Sequence, residues 1–265
     1  MCRRSAFAGL RRSTFGLAED VHSTEVNRMK RSTGTFVLVH GEWHGGWCWS
    51  RLGGLLRVVG HDVHTPTLTG LGDRAHLAHA DVDLALHVQD VVAFLEAEEI
   101  TRAVLVGHGY GGMVISGVAA KAANRLSHLT YVDAFVPANG QSVFDLLPAE
   151  RAEAMRAAAH AEGEGWRIPP LTPQRYGVTA AKDVEWLARR LVPQPIKTFE
   201  QSLESASPGR LKRTYVYCSS PASGTFDRFV ELRDDHAWQF HEVKTGHDAM
   251  ITSPAALAKI LLASA

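Results

Sequence analysis

Apolar positions along the chain follow two alternating patterns. Short runs rich in β-branched residues alternate with longer stretches in which apolar residues recur at helical spacing. The short runs predict strands at Thr35–Val39, His61–Leu68, Ala103–Val106, His128–Val136, Thr214–Cys218 and Trp238–Val243. The longer stretches predict helices at Trp47–Val59, Val82–Glu98, Gly111–Ala123, Phe226–Arg233 and Pro254–Leu262. Such alternation predicts an α/β fold, a mostly parallel sheet of about six strands with helices on both faces.

Residues 137–208 break this alternation. Prolines interrupt helix-like stretches there, of which Ala149–Ala161 and Ala181–Leu191 are the clearest. This composition predicts a helical cap inserted into the α/β core, which then comprises residues 35–136 and 209–265.

The first 34 residues have a different composition, with seven basic residues against three acidic ones and no apolar segment typical of a secretory signal. One interpretation is a flexible tail, or an upstream start with Met29 as the true first residue. The other is an arm that orders on a partner subunit or over a site, so a homodimer is a hypothesis.

The overall charge excludes some functions. Lys and Arg together number 28, as do Asp and Glu, so the chain has no basic excess for binding nucleic acid. No apolar run reaches the length of a membrane span, and three cysteines suggest no disulfide framework. We expect a cytoplasmic protein that acts on a small molecule, without a nucleic-acid or membrane partner.

A glycine cluster follows the third predicted strand, in the sequence from Val104 to Gly112. A strand, a sharp turn and a helix in this order are the layout of the G-x-S-x-G nucleophile elbow, with the nucleophile at the middle position. Here the middle residue is Gly109, which has no side chain. The G-x-G-x-x-G dinucleotide pattern and the P-loop lysine are absent, so we predict no nucleotide cofactor.

Three further motifs accompany this turn, and all four lie near predicted strand ends, where α/β sheets bind ligands. They are His40–Trp49, the elbow at 107–112, Asp133–Pro137 and Thr245–Asp248. Over residues 35–264 the chain resembles the α/β-hydrolase superfamily, in particular hydroxynitrile lyases, methyl-salicylate esterases and pyrethroid-type esterases. The resemblance implies a nucleophile at position 109, His247 as the base, and the backbone N–H groups of Glu42 and Tyr110 as oxyanion donors.

The resemblance leaves the triad acid open. The usual stretch, Ser219–Ala222, contains no carboxylate. Some members of the superfamily carry the acid one strand earlier, which points to Asp133, and Asp227 is the second choice.

Glu42 is a second departure, since related sequences generally have a small residue after the His-Gly pair. An ionised carboxylate there would repel an oxyanion, whereas a buried neutral one could donate a proton and form an acid/base pair with His247. Alternatively, Glu42 points away and contributes only its backbone.

Several other residues are candidates for the substrate pocket, although each could equally be a packing residue. Trp43 and His44 follow the oxyanion loop, and His108 precedes Gly109. Aromatic residues of the cap would form apolar walls: Phe144, Trp166 and Trp186. The spacing of His76, His79 and His87 matches no zinc signature, so we predict no metal.

Together these features predict an enzyme that acts without a covalent intermediate on a small apolar or aromatic carbonyl compound. A lyase, an isomerase, a cyclase and a water-mediated hydrolase all fit, because the base and oxyanion donors need no serine hydroxyl. One alternative is an esterase inactivated by replacement of serine with glycine. Another is a protein that binds a small ligand without turnover.

Overall fold

A six-stranded sheet lies at the centre of the protein, whose computed structural model describes residues 34–206 and 209–264. Its strands run in the order β2-β1-β3-β4-β7-β8, and all neighbours are parallel. They are β1 Thr35–Val39, β2 Asp62–His64, β3 Ala103–Gly109, β4 Leu126–Ala134, β7 Lys212–Cys218 and β8 Trp238–Val243. The predicted α/β fold is confirmed, and the carboxyl ends of β1, β3, β4 and β8 meet at one edge. The prediction for the basic extension concerns residues outside the described range, apart from Gly34.

Nine α-helices connect or cover the strands in the described part of the chain. They are α1 Ser50–Val58, α2 Leu84–Ala97, α3 Gly111–Ala122, α4 Val143–Leu146, α5 Ala149–Glu162, α6 Ala181–Ala188, α7 Lys197–Glu200, α8 Ala249–Thr252 and α9 Pro254–Leu262. Shorter 3-10 helices lie at Gly46–Trp49, Gly72–Leu77, Ala123–Arg125, Pro173–Tyr176 and Asp227–Asp234. No helix of this part is long and apolar enough to cross a membrane.

Two predicted elements differ in the structure. The strand predicted at His61–Leu68 is only Asp62–His64, since Pro66 has no N–H to donate and the Leu68 N–H bonds to the His40 ring instead. The α-helix predicted at Phe226–Arg233 is a 3-10 helix in which only Phe229 is buried. A segment with so little apolar surface to bury gains little from packing as an α-helix.

The helix after the elbow packs closely against the sheet, because glycines let backbones approach. A Cβ added to Gly112 would lie 2.1 Å from the Phe135 carbonyl oxygen, and one on Gly111 would lie 2.7 Å from the Val39 oxygen. Most side chains of α3 are fully buried. This packing fixes the turn at Gly109 from behind.

Residues 137–206, which we call the cap segment, run between β4 and β7 and contain α4 to α7. They also contain a short antiparallel pair that the sequence analysis did not predict, β5 Arg167–Ile168 with β6 Gln194–Pro195. Trp43 fastens this pair to the loop after β1: its indole N–H donates to the Ile168 oxygen, and its backbone N–H donates to Gln194. The cap segment thereby lies over the loop that carries Glu42.

Candidate active site

The end of β4 and the loop after β8 bring an aspartate and a histidine together. Nδ1 of His247 lies 2.7 Å from Oδ2 of Asp133, and both side chains are buried. The other Asp133 oxygen accepts the backbone N–H of Cys218 at 3.1 Å. The second choice for the acid, Asp227, accepts the hydroxyl of Tyr217 instead and is exposed. Asp133 is therefore the carboxylate that orients His247.

The charges around His247 favour its protonated form. Burial alone would lower the pKa of His247, but the hydrogen bond and negative charge of Asp133, together with the charge of Glu42, raise the pKa above its ordinary value. For Asp133 the effects have opposite signs. Burial raises the pKa of this carboxyl, the hydrogen bond and charge of His247 lower it, and the net pKa is raised. The pair is thus an imidazole and a carboxylate able to hold and release a proton in a desolvated position.

Gly109 lies at the end of β3 in the left-handed region, with φ of 52°. A Cβ added there would lie 3.2 Å from Nε2 of His247 and only 2.5 Å from Oε2 of Glu42. The His247 ring therefore faces position 109 as predicted for a base. On its other side, position 109 is bounded by the carboxylate oxygen of Glu42, from the loop after β1.

That carboxylate is fixed by the elbow itself. Oε2 of Glu42 accepts the backbone N–H of Tyr110 at 2.7 Å, and the Glu42 side chain is 9% exposed. Of the alternatives for Glu42, the structure shows the side chain directed inward. The Tyr110 N–H, predicted to bind an oxyanion of the substrate, here binds the protein's own carboxylate.

Two non-glycine residues next to these groups adopt left-handed backbone conformations. Trp43, which follows Glu42, has φ of 61°, and Asp133 has φ of 43°. Such conformations cost free energy and persist where the surrounding structure demands them, which is common at functional sites. Both turns aim the carboxylates of Glu42 and Asp133 at the same small region.

His44 links the two loops that carry Glu42 and His247. Its Nδ1 lies 2.6 Å from the carbonyl oxygen of Glu42, and its Nε2 lies 3.2 Å from Oδ2 of Asp248. Both partners are acceptors, so both ring nitrogens carry hydrogen and the buried ring is an imidazolium. Burial lowers the pKa of His44, but Asp248 outweighs it and the pKa is raised. His44 thus positions the loop that carries Glu42. From the sequence alone, this residue was a candidate for contact with a substrate.

His108 also lies behind the site. Its ring is fully buried 4.2 Å from the His247 ring, and its Nε2 lies 3.1 Å from the His247 carbonyl oxygen. Burial lowers the pKa of His108 well below its ordinary value. A neutral ring that donates to the His247 backbone supports that loop.

Three potential ligand groups for a metal also lie close together here. Ligand atoms of His108, His247 and Asp248 all lie within 4.8 Å of one another. However, Nδ1 of His247 is bonded to Asp133, and Nε2 of His108 is bonded to the His247 carbonyl. These nitrogens are used to position the imidazole of His247.

Aromatic rings line the region around His247 and Tyr110. The Phe226 ring stacks on the His247 ring at 5.0 Å, and the Phe199 ring of α7 stacks on Tyr110 at 5.7 Å. Phe144 packs against Phe199, so the structure places this predicted wall residue one layer further out. Phe226 was not predicted as a wall residue, because an isolated phenylalanine in sequence does not reveal its partner.

The two predicted cap tryptophans make their aromatic contacts elsewhere. Trp186 packs against Trp47 with ring centroids 5.1 Å apart, and Arg51 and Arg190 lie over its ring. The Trp166 ring lies beside the Arg167 guanidinium. Both tryptophans are only partly buried, and these contacts are not with the residues around Gly109.

The fold and this arrangement define an α/β hydrolase. Residues 36–260 match the model of the alpha/beta hydrolase family, and the chain belongs to that family. It is a hydrolase-like enzyme with esterase relatives.

The relatives and neighbours cover nearly the whole described chain. A carbendazim hydrolyzing esterase from Nocardioides sp. (strain SG-4G) is 41% identical over 238 residues, which are 86% of this chain and 98% of that protein. An extracellular alpha/beta-hydrolase from a Paenibacillus species has a TM-score of 0.77 at 25% identity, covering 87% of this chain and 98% of that one. Tomato methylketone synthase I, complexed with 2-tridecanone, has a TM-score of 0.72 at 19% identity and covers 87% of this chain and 97% of that one, a likeness of fold alone.

Proposed function

We propose that this enzyme performs acid/base chemistry without a covalent intermediate on a small apolar or aromatic carbonyl compound, with Glu42 and His247 as the proton-transferring pair. One observation supports this most directly. The Glu42 carboxylate occupies the volume in which a serine side chain at position 109 would lie, 2.5 Å from the Cβ position. Position 109 has no hydroxyl, and a carboxylate oxygen lies where one would be.

The two groups divide the proton transfer between them. Glu42 accepts an amide N–H, as an ionised carboxylate does, and in that form it is a base. The raised pKa of His247 favours an imidazolium, which gives a proton. We therefore assign Glu42 as the base and His247 as the acid, the reverse of the roles expected from sequence.

Enolisation shows how this pair would work. Glu42 removes a proton from the carbon next to the carbonyl group, and His247 protonates the carbonyl oxygen as negative charge develops there. Asp133 stabilises the imidazolium before the transfer and holds its orientation. Return of the proton from Glu42 to another carbon gives an isomerase product, departure of a group from the β carbon gives a lyase product, and attack of the enol carbon on a second carbonyl of the substrate gives a cyclase product.

Ester hydrolysis is the second candidate, and the 41% identity to an esterase along nearly its whole length favours it. In that case neutral His247 activates a water molecule that attacks the ester carbonyl directly. An esterase inactivated at position 109 is a third reading. It is weakened by Glu42, because a restored serine would meet the carboxylate unless Glu42 moved.

Four forms of the protein distinguish these candidates: the wild type, Gly109→Ser, Glu42→Ala and the double variant. Each is assayed for hydrolysis of p-nitrophenyl butyrate and for exchange of the acetophenone methyl protons in D₂O, followed by NMR. We expect exchange in the wild type alone, since it needs Glu42 and space at position 109.

The opposing outcomes are specific. Ester hydrolysis that appears only in the double variant, with no exchange in the wild type, would identify a disabled esterase. Hydrolysis by the wild type that His247→Ala abolishes and Glu42→Ala preserves would establish the water mechanism. Binding of acetophenone without exchange or any product would indicate a ligand-binding protein.

A further inference from the structure

An arginine of the cap segment lies near the site without an acidic partner. Arg151, in the first turn of α5, donates from Nη1 to the hydroxyl of Thr225. Thr225 is buried and precedes Phe226, whose ring stacks on His247. The Arg151 guanidinium is therefore joined to the aromatic wall of the site through one hydrogen bond.

The Arg151 guanidinium is partly desolvated and within electrostatic range of Glu42. Burial lowers the pKa of the Arg151 guanidinium, whereas the negative charge of Glu42 opposes this effect and the charge of Arg175 adds to it. Glu42 and Arg151 thus interact through the interior, although they form no ion pair. A partly desolvated guanidinium retains donors that an anion could use.

Three other arginines of the cap segment have acidic neighbours, whereas Arg175 is exposed and Arg190 lies over the Trp186 ring. Arg156 lies near Glu153, Arg167 pairs with Glu164, and Arg189 pairs with Glu185. Arg151, by contrast, is not within ion-pair distance of any carboxylate in residues 34–206 and 209–264.

Helix stability does not explain the residue either. The amino-terminal turn of a helix carries partial positive charge, so a cation there is unfavourable and an anion is favoured. Arg151 lies in this turn of a 14-residue helix. The helix and the guanidinium therefore contribute positive potential of the same sign.

We propose that Arg151 binds the carboxylate of an organic acid whose apolar body contacts Phe226 and whose reacting carbon lies between Glu42 and His247. Arg151 is then a specificity-determining residue, and the preferred ligands are apolar or aromatic oxo acids. The role of Arg151 rests on the proposed function in one respect only, the place where the ligand binds. A guanidinium suits a carboxylate because its planar N–H groups match two carboxylate oxygens.

Calorimetric titration of the full chain with a matched pair of probes tests the proposal. The probes are 3-phenylpropanoate and its neutral amide, 3-phenylpropanamide, which differ only in the charged group. We expect the carboxylate to bind about 10- to 100-fold more tightly to the wild type, the range for a charge-assisted hydrogen bond. In Arg151→Gln the preference should fall to about twofold or less, and Arg151→Lys should restore part of it.

Arg156→Gln is the control, since Arg156 lies on the same helix but near Glu153, and it should retain the wild-type preference. Equal affinity of the wild type for both probes would overturn the proposal, as would an unchanged preference in a folded Arg151→Gln. A carboxylate preference without proton exchange in any substrate would count against the proposed function while leaving the role of Arg151 intact.

Discussion

The two sides of the candidate site differ in how far they follow the geometry of a hydrolase triad. On the β4/β8 side, Asp133 and His247 are joined at 2.7 Å with the imidazole directed at position 109. On the β1/β3 side, a glycine stands at the elbow and the Glu42 carboxylate is bonded to the Tyr110 N–H. The first side can move a proton, and the second side offers another proton acceptor where an attacking hydroxyl would lie.

This difference shows that proton transfer and nucleophilic attack are separable parts of such a site. The Asp133–His247 pair is held by the Cys218 N–H at the end of β7 and by the His108 ring in β3. None of these bonds uses a side chain at position 109. Glu42 depends on the absence of a side chain at 109, so these two residues are one unit.

The largest expected effect comes from removing the proton shuttle on the β4/β8 side. We predict that His247→Ala lowers kcat for the exchange reaction by about 10²- to 10⁴-fold, the usual contribution of a general acid or base. His76→Ala, which alters an exposed histidine of the Gly72–Leu77 segment, is the control and should leave kcat unchanged. Loss of less than about threefold in His247→Ala would remove that residue from the chemistry.

The β1/β3 side is tested by Glu42→Gln, which keeps an oxygen for the Tyr110 N–H but removes the base. We predict a fall in kcat of about 100-fold and loss of one limb of the pH–rate profile. Glu200→Gln, in α7, is the matched control. An unchanged pH–rate profile in Glu42→Gln would assign Glu42 a structural role. Only the β4/β8 side of the site would then take part in proton transfer.

Sequence predicted the sides of the site to different extents. Asp133 lies at the end of a strand with a clear apolar pattern and His247 follows another, so their meeting at one sheet edge follows from parallel topology. The direction of the Glu42 side chain depends on φ of 61° at Trp43 and on the space at Gly109, which no local pattern encodes. Arg151 was missed because its helix pattern resembles that of any solvated cap helix, and its isolation from carboxylates appears only in three dimensions.

A smaller effect concerns the coupling of Gly109 to Glu42. We predict that Gly109→Ser lowers the free energy of unfolding by about 1–2 kcal/mol, because a side chain at φ of 52° is strained and would crowd the Glu42 carboxylate. Urea unfolding of the four variants gives the coupling between positions 42 and 109. The loss from Gly109→Ser should be smaller in a Glu42→Ala background, whereas equal losses in both backgrounds would show that the two residues are independent.

The smallest expected effect concerns His44, which holds the two sides together. Its folded pKa is raised above 6.5, so its stabilising contribution is complete below pH 6.5 and is lost as pH rises through the folded pKa. Burial lowers the pKa of His40 to about 3 and that of His87 to about 4, so their contributions change only below 6.5. Urea unfolding measured as the pH is raised from 6.5 upward therefore isolates the groups with raised pKa values from these two. His44→Gln should reduce the fall in stability with pH over this window, and His76→Gln should not. His247 contributes a slope of the same sign, so part of the fall in stability with pH should remain in His44→Gln.

If His44→Gln retained the complete wild-type slope, the His44 ring would be neutral at these pH values. The loops of Glu42 and His247 would then be joined without a buried charge.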